Sequence, residues 1–383
     1  MSESTGKKKR LVIVVAIVLA VILCIDVAIL ILFKDTIFGK KESTQQTTTP
    51  TTTVVETTTE ATTVPTEPPI LYRHPLNGTP IDAPLTTRPV GVVINNIRAC
   101  LPQYGISKAD ILYEFETEGG ITRFLALFTD LKNISQVGPV RSARSYFNNI
   151  CAAFDVPLVH CGGSVTGAKG YYDYNNKLKS WEHLSIDASG GDTSKIAFRD
   201  LTRFRKQGYA WEHTLFGNGK KLVSKLNSKY DMTEEKGIDY GLIFEDAVIA
   251  RGEAATSITI KFLGTKKTQM NYDAATGKYM ISEYGDQLID ALTEEKVGFN
   301  NVVVVLADQT KKKPKSSWLS YYDMIGTGEG YVALNGQIEK IKWTRKKVTD
   351  PFTYTYTDGT TVTFNVGTTY VAVIDPDGSV TYK

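Results

Sequence analysis

Residues Ala109–Phe128 read ADILYEFETEGGITRFLALF, and Val137–Phe147 follow as VGPVRSARSYF. Side chains on a strand alternate between faces, so Glu114, Glu116 and Glu118 share one face and Tyr113, Phe115 and Thr117 the other. Gly119-Gly120 suits a two-residue hairpin turn, which sets Glu116 opposite Arg123 and Glu114 opposite Leu125. One face is then all core, with Ile111, Tyr113, Phe115, Phe124, Ala126 and Phe128, while the glutamate face is mixed. A cross-strand pair of Glu116 and Arg123 would be structural and worth well under ~1 kcal/mol. Alternate carboxylates on one strand face stand roughly 7 Å apart, a separation that inverting glycosidases use. Glu114 and Glu118 are therefore candidate acid/base residues, although many strands show this spacing.

Downstream the charge changes sign. Gly138-Pro139-Val140-Arg141-Ser142-Ala143-Arg144 leads into a helix expected over Ser142–Phe154, with Ser142 available as N-cap. Arginines beside the free N–H groups of a helix start make an anion site, so Arg123, Arg141, Ser142 and Arg144 are candidate ligand contacts. They could hold a phosphate, a substrate carboxylate, or the glutamates of the hairpin itself. His160-Cys161-Gly162-Gly163-Ser164 then ends a strand and enters a helix, where His160 and Ser164 could line an anion-binding turn. A tight Gly-Gly turn with Ser164 as helix cap is the plain alternative. His160 and Cys161 point to opposite faces and cannot act as a catalytic pair. Trp181-Glu182-His183 and Trp211-Glu212-His213 repeat a triplet, by chance or as two elements lining a sugar or wall-peptide groove. His213 is the candidate assisting base.

Around this centre, short β-rich runs (Val90–Asn95, Ile111–Glu116, Thr122–Phe128, Val156–His160) alternate with helical stretches. The further helices are expected near Val165–Asn175, Ile196–Lys206 and Lys220–Lys229. That alternation gives an α/β (α+β) N-terminal domain over residues 70–240. Residues 241–383 alternate strands with Gly, Asp and Asn turns, and Asp358-Gly359 is an expected hairpin turn. They make a smaller, mainly antiparallel β C-terminal domain. The basic runs Lys311-Lys312-Lys313-Pro314-Lys315 and Arg345-Lys346-Lys347 read as solvated loops, or as a weak attraction to anionic wall polymers or headgroups.

The N-terminus sets the expected compartment. Residues 1–10 form a tail ending in Lys7-Lys8-Lys9-Arg10, and residues 11–33 are an apolar run. At ~1.5 Å per residue that run crosses a ~30 Å hydrocarbon layer. The basic cluster stays cytoplasmic, so the chain is expected to cross the cell membrane once with everything after Lys34 outside. No small-residue cleavage site follows, and Leu23 is bulky where a lipobox before Cys24 needs Gly, Ala or Ser. Residues 34–69 are rich in Thr and Pro and lack the apolar content to fold, an expected disordered tether. Only Cys100, Cys151 and Cys161 lie beyond the span, so no disulfide framework is expected. A formal net charge of +3 excludes a strongly basic nucleic-acid binder. No metal-ligand spacing and no cofactor motif stands out.

The runs RPVGVVINN, AD-ILYE, EGGITRFLALF, VGPVRSARSYF and HCGGS resemble the YerB-like family of bacterial membrane-attached proteins, built from two conserved domains of unknown function. The resemblance runs from about Arg88 to the C-terminus. It implies an N-terminal α/β domain, a smaller β-rich C-terminal domain, and an extracytoplasmic place, since members are typically lipoproteins. The family's Pro-His pair has its counterpart in Glu212-His213-Thr214-Leu215, without the proline. Two functions remain open on the residues. One is an envelope protein that binds an anionic cell-wall component or an envelope partner through its arginines. The other is a glycan- or peptide-cleaving enzyme using Glu114 or Glu118.

Overall fold

The computed structural model describes residues 72–164, 170–172, 178–180, 185–189, 193–233, 239–247, 251–313 and 318–383. The expected tail, span and tether, and the Trp181 triplet, lie outside these residues. Among the described residues no helix is long and apolar enough to cross a membrane.

Strands β1 (Val90–Asn96), β2 (Ile111–Glu116) and β3 (Thr122–Phe128) form where the apolar runs predict them. Both alternating sets of β2 and β3 are largely apolar, so neither face can be left in water, and every residue of the two strands is buried. The hairpin between them is one residue longer than expected. Thr117 N–H donates to Ile121 O at 2.7 Å, leaving Glu118, Gly119 and Gly120 in the turn. Both glycines take the left-handed conformation this turn needs, at φ 82° and 71°. Glu114 then faces Phe124, and Glu116 faces Thr122.

A slip of one residue sends each side chain to the other face. Glu116 and Arg123 therefore lie on opposite faces, and the expected pair is not made. The expected single core face is likewise two faces. Ile111, Tyr113, Phe115, Leu125 and Leu127 pack on one side, and Leu112, Phe124, Ala126 and Phe128 on the other.

Helix α1 (Ser145–Ala153) covers the first side with Tyr146, Phe147, Ile150 and Cys151. It begins three residues later than expected, with Arg144 at the N-cap and no side-chain cap. Bridges from Val140 to Ile94 and from Ala143 to Gly163 hold the preceding segment extended. Ser142 therefore caps nothing. Strand β4 (Leu158–His160) runs parallel to β1, and β5 (Ser185–Asp187) parallel to β4.

The helix expected near Val165–Asn175 falls largely outside the described residues, and Gly170–Tyr172 within it is strand. The one expected over Ile196–Lys206 is interrupted by strand Ala197–Arg199. Helix α2 (Leu201–Gln207) starts only after Asp200, whose carboxylate accepts the amides of Thr202 and Arg203. Helix α3 (Gly219–Lys229) matches its expectation, is capped by Asn218, and buries Leu222 and Leu226 on the second side.

In the remainder, β6 (Ser257–Lys261), β7 (Lys267–Asp273) and β8 (Lys278–Glu283) pair antiparallel. Their inward residues Ile258, Ile260, Met270 and Ile281 join the second core. There follow β9 (Asn301–Leu306), β10 (Gln309–Lys312), β11 (Leu319–Tyr322), β12 (Gly326–Leu334), β13 (Gln337–Arg345), β14 (Thr353–Tyr356), β15 (Thr369–Ile374) and β16 (Ser379–Tyr382). Most of this part is antiparallel, as expected. The short pair Phe244–Glu245 with Phe364–Asn365 is parallel, and so is β15, TYVAVI, which lies parallel to both β9 and β2, with Thr369 beside Ile111 and Val373 beside Phe115.

That strand joins the two expected domains. The order β13-β12-β9-β15-β2-β3-β1-β4-β5 forms the core of one eleven-stranded sheet, completed by β14 and the edge piece Glu253–Ala254. Pro68–Lys383 is one compact unit. The two expected domains on either side of residue 240 thus share this sheet. The free edge of β2 is apolar and needs a backbone partner, and the wholly buried β15 supplies it. Strands also outweigh helices in both parts, so the N-terminal stretch is less helical than the alternation implied.

Candidate functional site at the carboxyl edge

Strands β1, β2, β4, β5, β9 and β15 all point the same way, with β3 antiparallel among them. Their C-terminal ends form one edge, the place where open sheets of this kind take ligands. Asn95 and Asn96, Glu116, His160 and Asp187 finish strands there, and Arg123 lies near the start of β3 at the same edge. The loop before α1 threads across it. Arg141 N–H donates to Val93 O and Cys161 N–H to Arg141 O, both at 2.9 Å.

Three of the predicted arginines are brought together here. Arg123 is only 6 % exposed, and its Nη1 donates to Ser142 O at 2.9 Å. Its Nε is buried without a partner, and no described carboxylate lies in ion-pair reach. Burial, with Arg144 and Arg141 adding like charge, pushes its guanidinium down to about 10. Arg141 also has an unpartnered buried Nε, and its nearest carboxylate is Glu212 at 3.5 Å.

Arg144 is satisfied internally. Its Nε lies 3.0 and 2.9 Å from the two Glu118 oxygens and its Nη2 2.6 Å from one of them. Ser320 N–H adds a bond of 3.2 Å to Glu118. Burial would raise the Glu118 carboxyl, but the Arg144 hydrogen bonds and charge hold it below its ordinary value. The same partner raises Arg144 against the opposing effect of burial. The hairpin glutamate thus neutralises Arg144 but not Arg141, which has the exposed Glu212 at 3.5 Å, and leaves Arg123 without a close counter-charge among the described residues.

The predicted histidines line the same edge in structural contacts. His213 is buried, with Asn95 Nδ2 at 3.0 Å from its Nδ1 and Glu212 at 3.6 Å from Nε2. An amide donating to Nδ1 places the proton on Nε2. Burial lowers the His213 imidazole despite Glu212. His160 is buried too, its Nδ1 bonding Gly162 O at 2.8 Å, and burial lowers it as well. Ser164 is half-buried, with its N–H 3.4 Å from Ala143 O. Arg199 stacks over the exposed Trp211 ring at 4.7 Å and donates to Trp211 O at 2.7 Å. The Trp211 triplet therefore borders the arginine cluster.

Glu114 departs most from its expectation. It is 0 % exposed and accepts from Thr122 Oγ1 and Tyr370 OH at 2.5 Å, Thr268 Oγ1 at 2.8 Å, and Asn96 Nδ2 and Lys266 Nζ at 3.0 Å. Lys266 also pairs with the buried Glu283, which Asn96 reaches at 3.2 Å. Two carboxylates thus share one ammonium in the core between the two sheets. Burial pushes Glu283 up to about 7, with Glu114 adding and Lys266 opposing. Enclosed on every side, Glu114 cannot meet a substrate, and the expected spacing to Glu118 is lost because Glu118 sits in the turn. Lys266, Thr268 and Glu283 carried no signal in the sequence, where Lys266 looks like any lysine of a charged turn.

Residues 76–233 match the model described as "Protein of unknown function (DUF3048) N-terminal domain", and residues 258–371 match its C-terminal domain. The curated protein "Putative lipoprotein YerB" of Bacillus subtilis (strain 168) is 30% identical over 316 residues, covering 79% of this chain and 86% of that protein. The chain belongs to the YerB-like family. A crystal structure of the Bacillus subtilis YerB protein superposes with a TM-score of 0.65 at 27% identity, covering 81% of this chain and 99% of the other. The two family segments follow each other along this YerB-like chain as the sequence predicted, and in space they share the eleven-stranded sheet.

Proposed function

We propose that this YerB-like chain is a membrane-attached protein of the cell envelope, held by residues 11–33 with its folded body outside, and that its carboxyl edge binds an anionic wall component or envelope partner. The family relative's name as a lipoprotein supports the location. The observation that carries the binding reading is Arg123, a buried guanidinium with an orphan Nε and no carboxylate beside it among the described residues. A buried, uncompensated cation costs several kcal/mol, and an anionic ligand would remove much of that cost. Arg141, the more exposed partner, would make the first contact.

A hydrolytic reading has less support. Glu114 is enclosed, and a carboxyl held below its ordinary value, as at Glu118, is a poor general acid near neutral pH.

The full chain in detergent, incubated with purified cell-wall sacculi, is expected to sediment with them and to be released by added salt. Arg141→Gln should weaken retention by roughly tenfold, the loss of one charge-assisted contact, with an unchanged melting temperature. Retention equal to wild type in that variant, or no retention at all, ends the binding reading. The topology has its own check. Protease added outside intact cells should cut within residues 34–69 and free the body, and protection of the body there contradicts the proposed orientation.

A further inference from the structure

Beyond the arginines, the same edge carries a cleft of about 470 Å³ lined by Glu118, Gly119, Lys311, Trp318, Leu319 and Ser320. It lies between the tip of the β2–β3 hairpin and the β10–β11 pair. Trp318 is 59 % exposed, a large cost in water for a side chain that could be buried. Lys313 Nζ stands 6.0 Å from its ring, and Lys311 lines the cleft itself. The only carboxylate among the described lining residues, Glu118, is already neutralised by Arg144, so the charge they present to a ligand is positive. The cleft is also continuous with the arginine cluster through that Arg144–Glu118 pair.

We propose that this cleft binds one ring of an acidic glycan, with a pyranose stacked on the Trp318 indole and its anionic substituent facing Lys311. A sugar ring has an apolar C–H face that an indole matches and a rim of hydroxyls that need hydrogen-bonding partners. Lys311 supplies N–H donors at the cleft, while the Glu118 carboxylate that also lines it is held by Arg144 and by Ser320 N–H. An apolar protein side chain in the same cleft would satisfy the indole but leave the Lys311 ammonium without a counter-charge. The proposal rests on the reading above for the extracytoplasmic place of the body and for an acidic ligand at this edge, but it does not use Arg123 or Arg141.

The test titrates the full chain in detergent with three probes, followed by calorimetry and tryptophan fluorescence. The probes are a neutral N-acetylglucosamine tetramer, a carboxylate-bearing muramyl disaccharide, and a phosphate-linked polyol–sugar polymer. Saturable binding of one or both acidic probes is expected, stronger than that of the neutral tetramer. Which of them binds tells a carboxylate source from a phosphate source. Trp318→Ala should weaken acidic-probe binding by roughly tenfold or more, Trp318→Phe should keep most of it, and Lys311→Ala should abolish the preference for the acidic sugars. Trp318→Ala binding as well as wild type overturns the proposal, as does the absence of saturable binding to either acidic probe. Neutral and acidic sugars binding equally would overturn it too. Arg141→Gln separates the two readings, since it should leave the Trp318-dependent fluorescence change intact while weakening wall retention.

Discussion

At the scale of single residues, a fully buried polar group between the two sheets is structural. Glu114, Lys266 and Glu283 form a buried network that ties β2 to β7 and β8. Breaking a buried pair is far costlier than never building it, because the remaining charge is left uncompensated. Lys266→Met is therefore expected to destabilise the fold by about 3–5 kcal/mol in chemical denaturation. Glu283 also links stability to pH. Its carboxyl is raised from 4.5 to about 7 in the fold, chiefly by burial, while the unfolded chain titrates at the ordinary value. The folded state thus holds a proton that the unfolded state has released, so this contribution is complete below the unfolded value and is lost as pH rises through about 7. The shift corresponds to something on the order of 3 kcal/mol. Melting curves should show Glu283→Gln gaining on wild type between about pH 5 and about pH 8, and a difference that stays flat rejects the assignment. Both proteins carry the same buried histidines, whose opposite dependence cancels in the comparison.

At the scale of elements, the hairpin shows what pattern reading captures. The bounds of β2 and β3 came directly from their apolar runs, because a strand buried on both faces needs apolar side chains at nearly every position. Their register did not, since a two-residue and a three-residue turn both use Gly119-Gly120. The choice is made by a contact from the other half of the chain. Glu116 Oε2 accepts Gly264 N–H at 2.9 Å, and Gly120 lies so near Gly264 that a Cβ on the latter would stand 2.8 Å from Gly120 Cα. Gly264→Val is accordingly expected to cost ~1–3 kcal/mol by forcing this approach apart, as read in urea denaturation. Arg345 repeats the lesson. It looked like part of a solvated basic run, yet it is 1 % exposed and donates to Asn149 O and Val348 O at 2.5 Å, linking β13 to α1.

At the scale of the whole molecule, the two family segments depend on each other. Residues 70–240 without the rest lose β15, which leaves the long apolar edge of β2 unpaired and uncovers the second core. That fragment is expected to show no cooperative unfolding transition and poorly dispersed amide resonances. Co-expression with residues 241–383 should restore both. A sharp transition in the isolated fragment contradicts the shared-sheet account. The cysteines fit a fold that needs no cross-links, since Cys100, Cys151 and Cys161 are all free thiols.

The sequence by itself determined the family, the order of its two segments, the positions of the central strands, and the concentration of arginines after β3. Each rests on local patterning or on runs of specific residues, which a linear reading preserves. Tertiary structure alone decided that the segments share one sheet, that Glu114 is a core ion-pair partner, and that Glu118 neutralises Arg144 while Arg123 stays uncompensated. The first two of those outcomes depend on contacts between residues more than a hundred positions apart, such as Glu114 with Lys266 and Tyr370, and the third on a turn register that these contacts fix. A burial partner of that kind leaves no periodic trace, because one lysine or glutamate looks the same in a chain whether it ends in water or between two sheets.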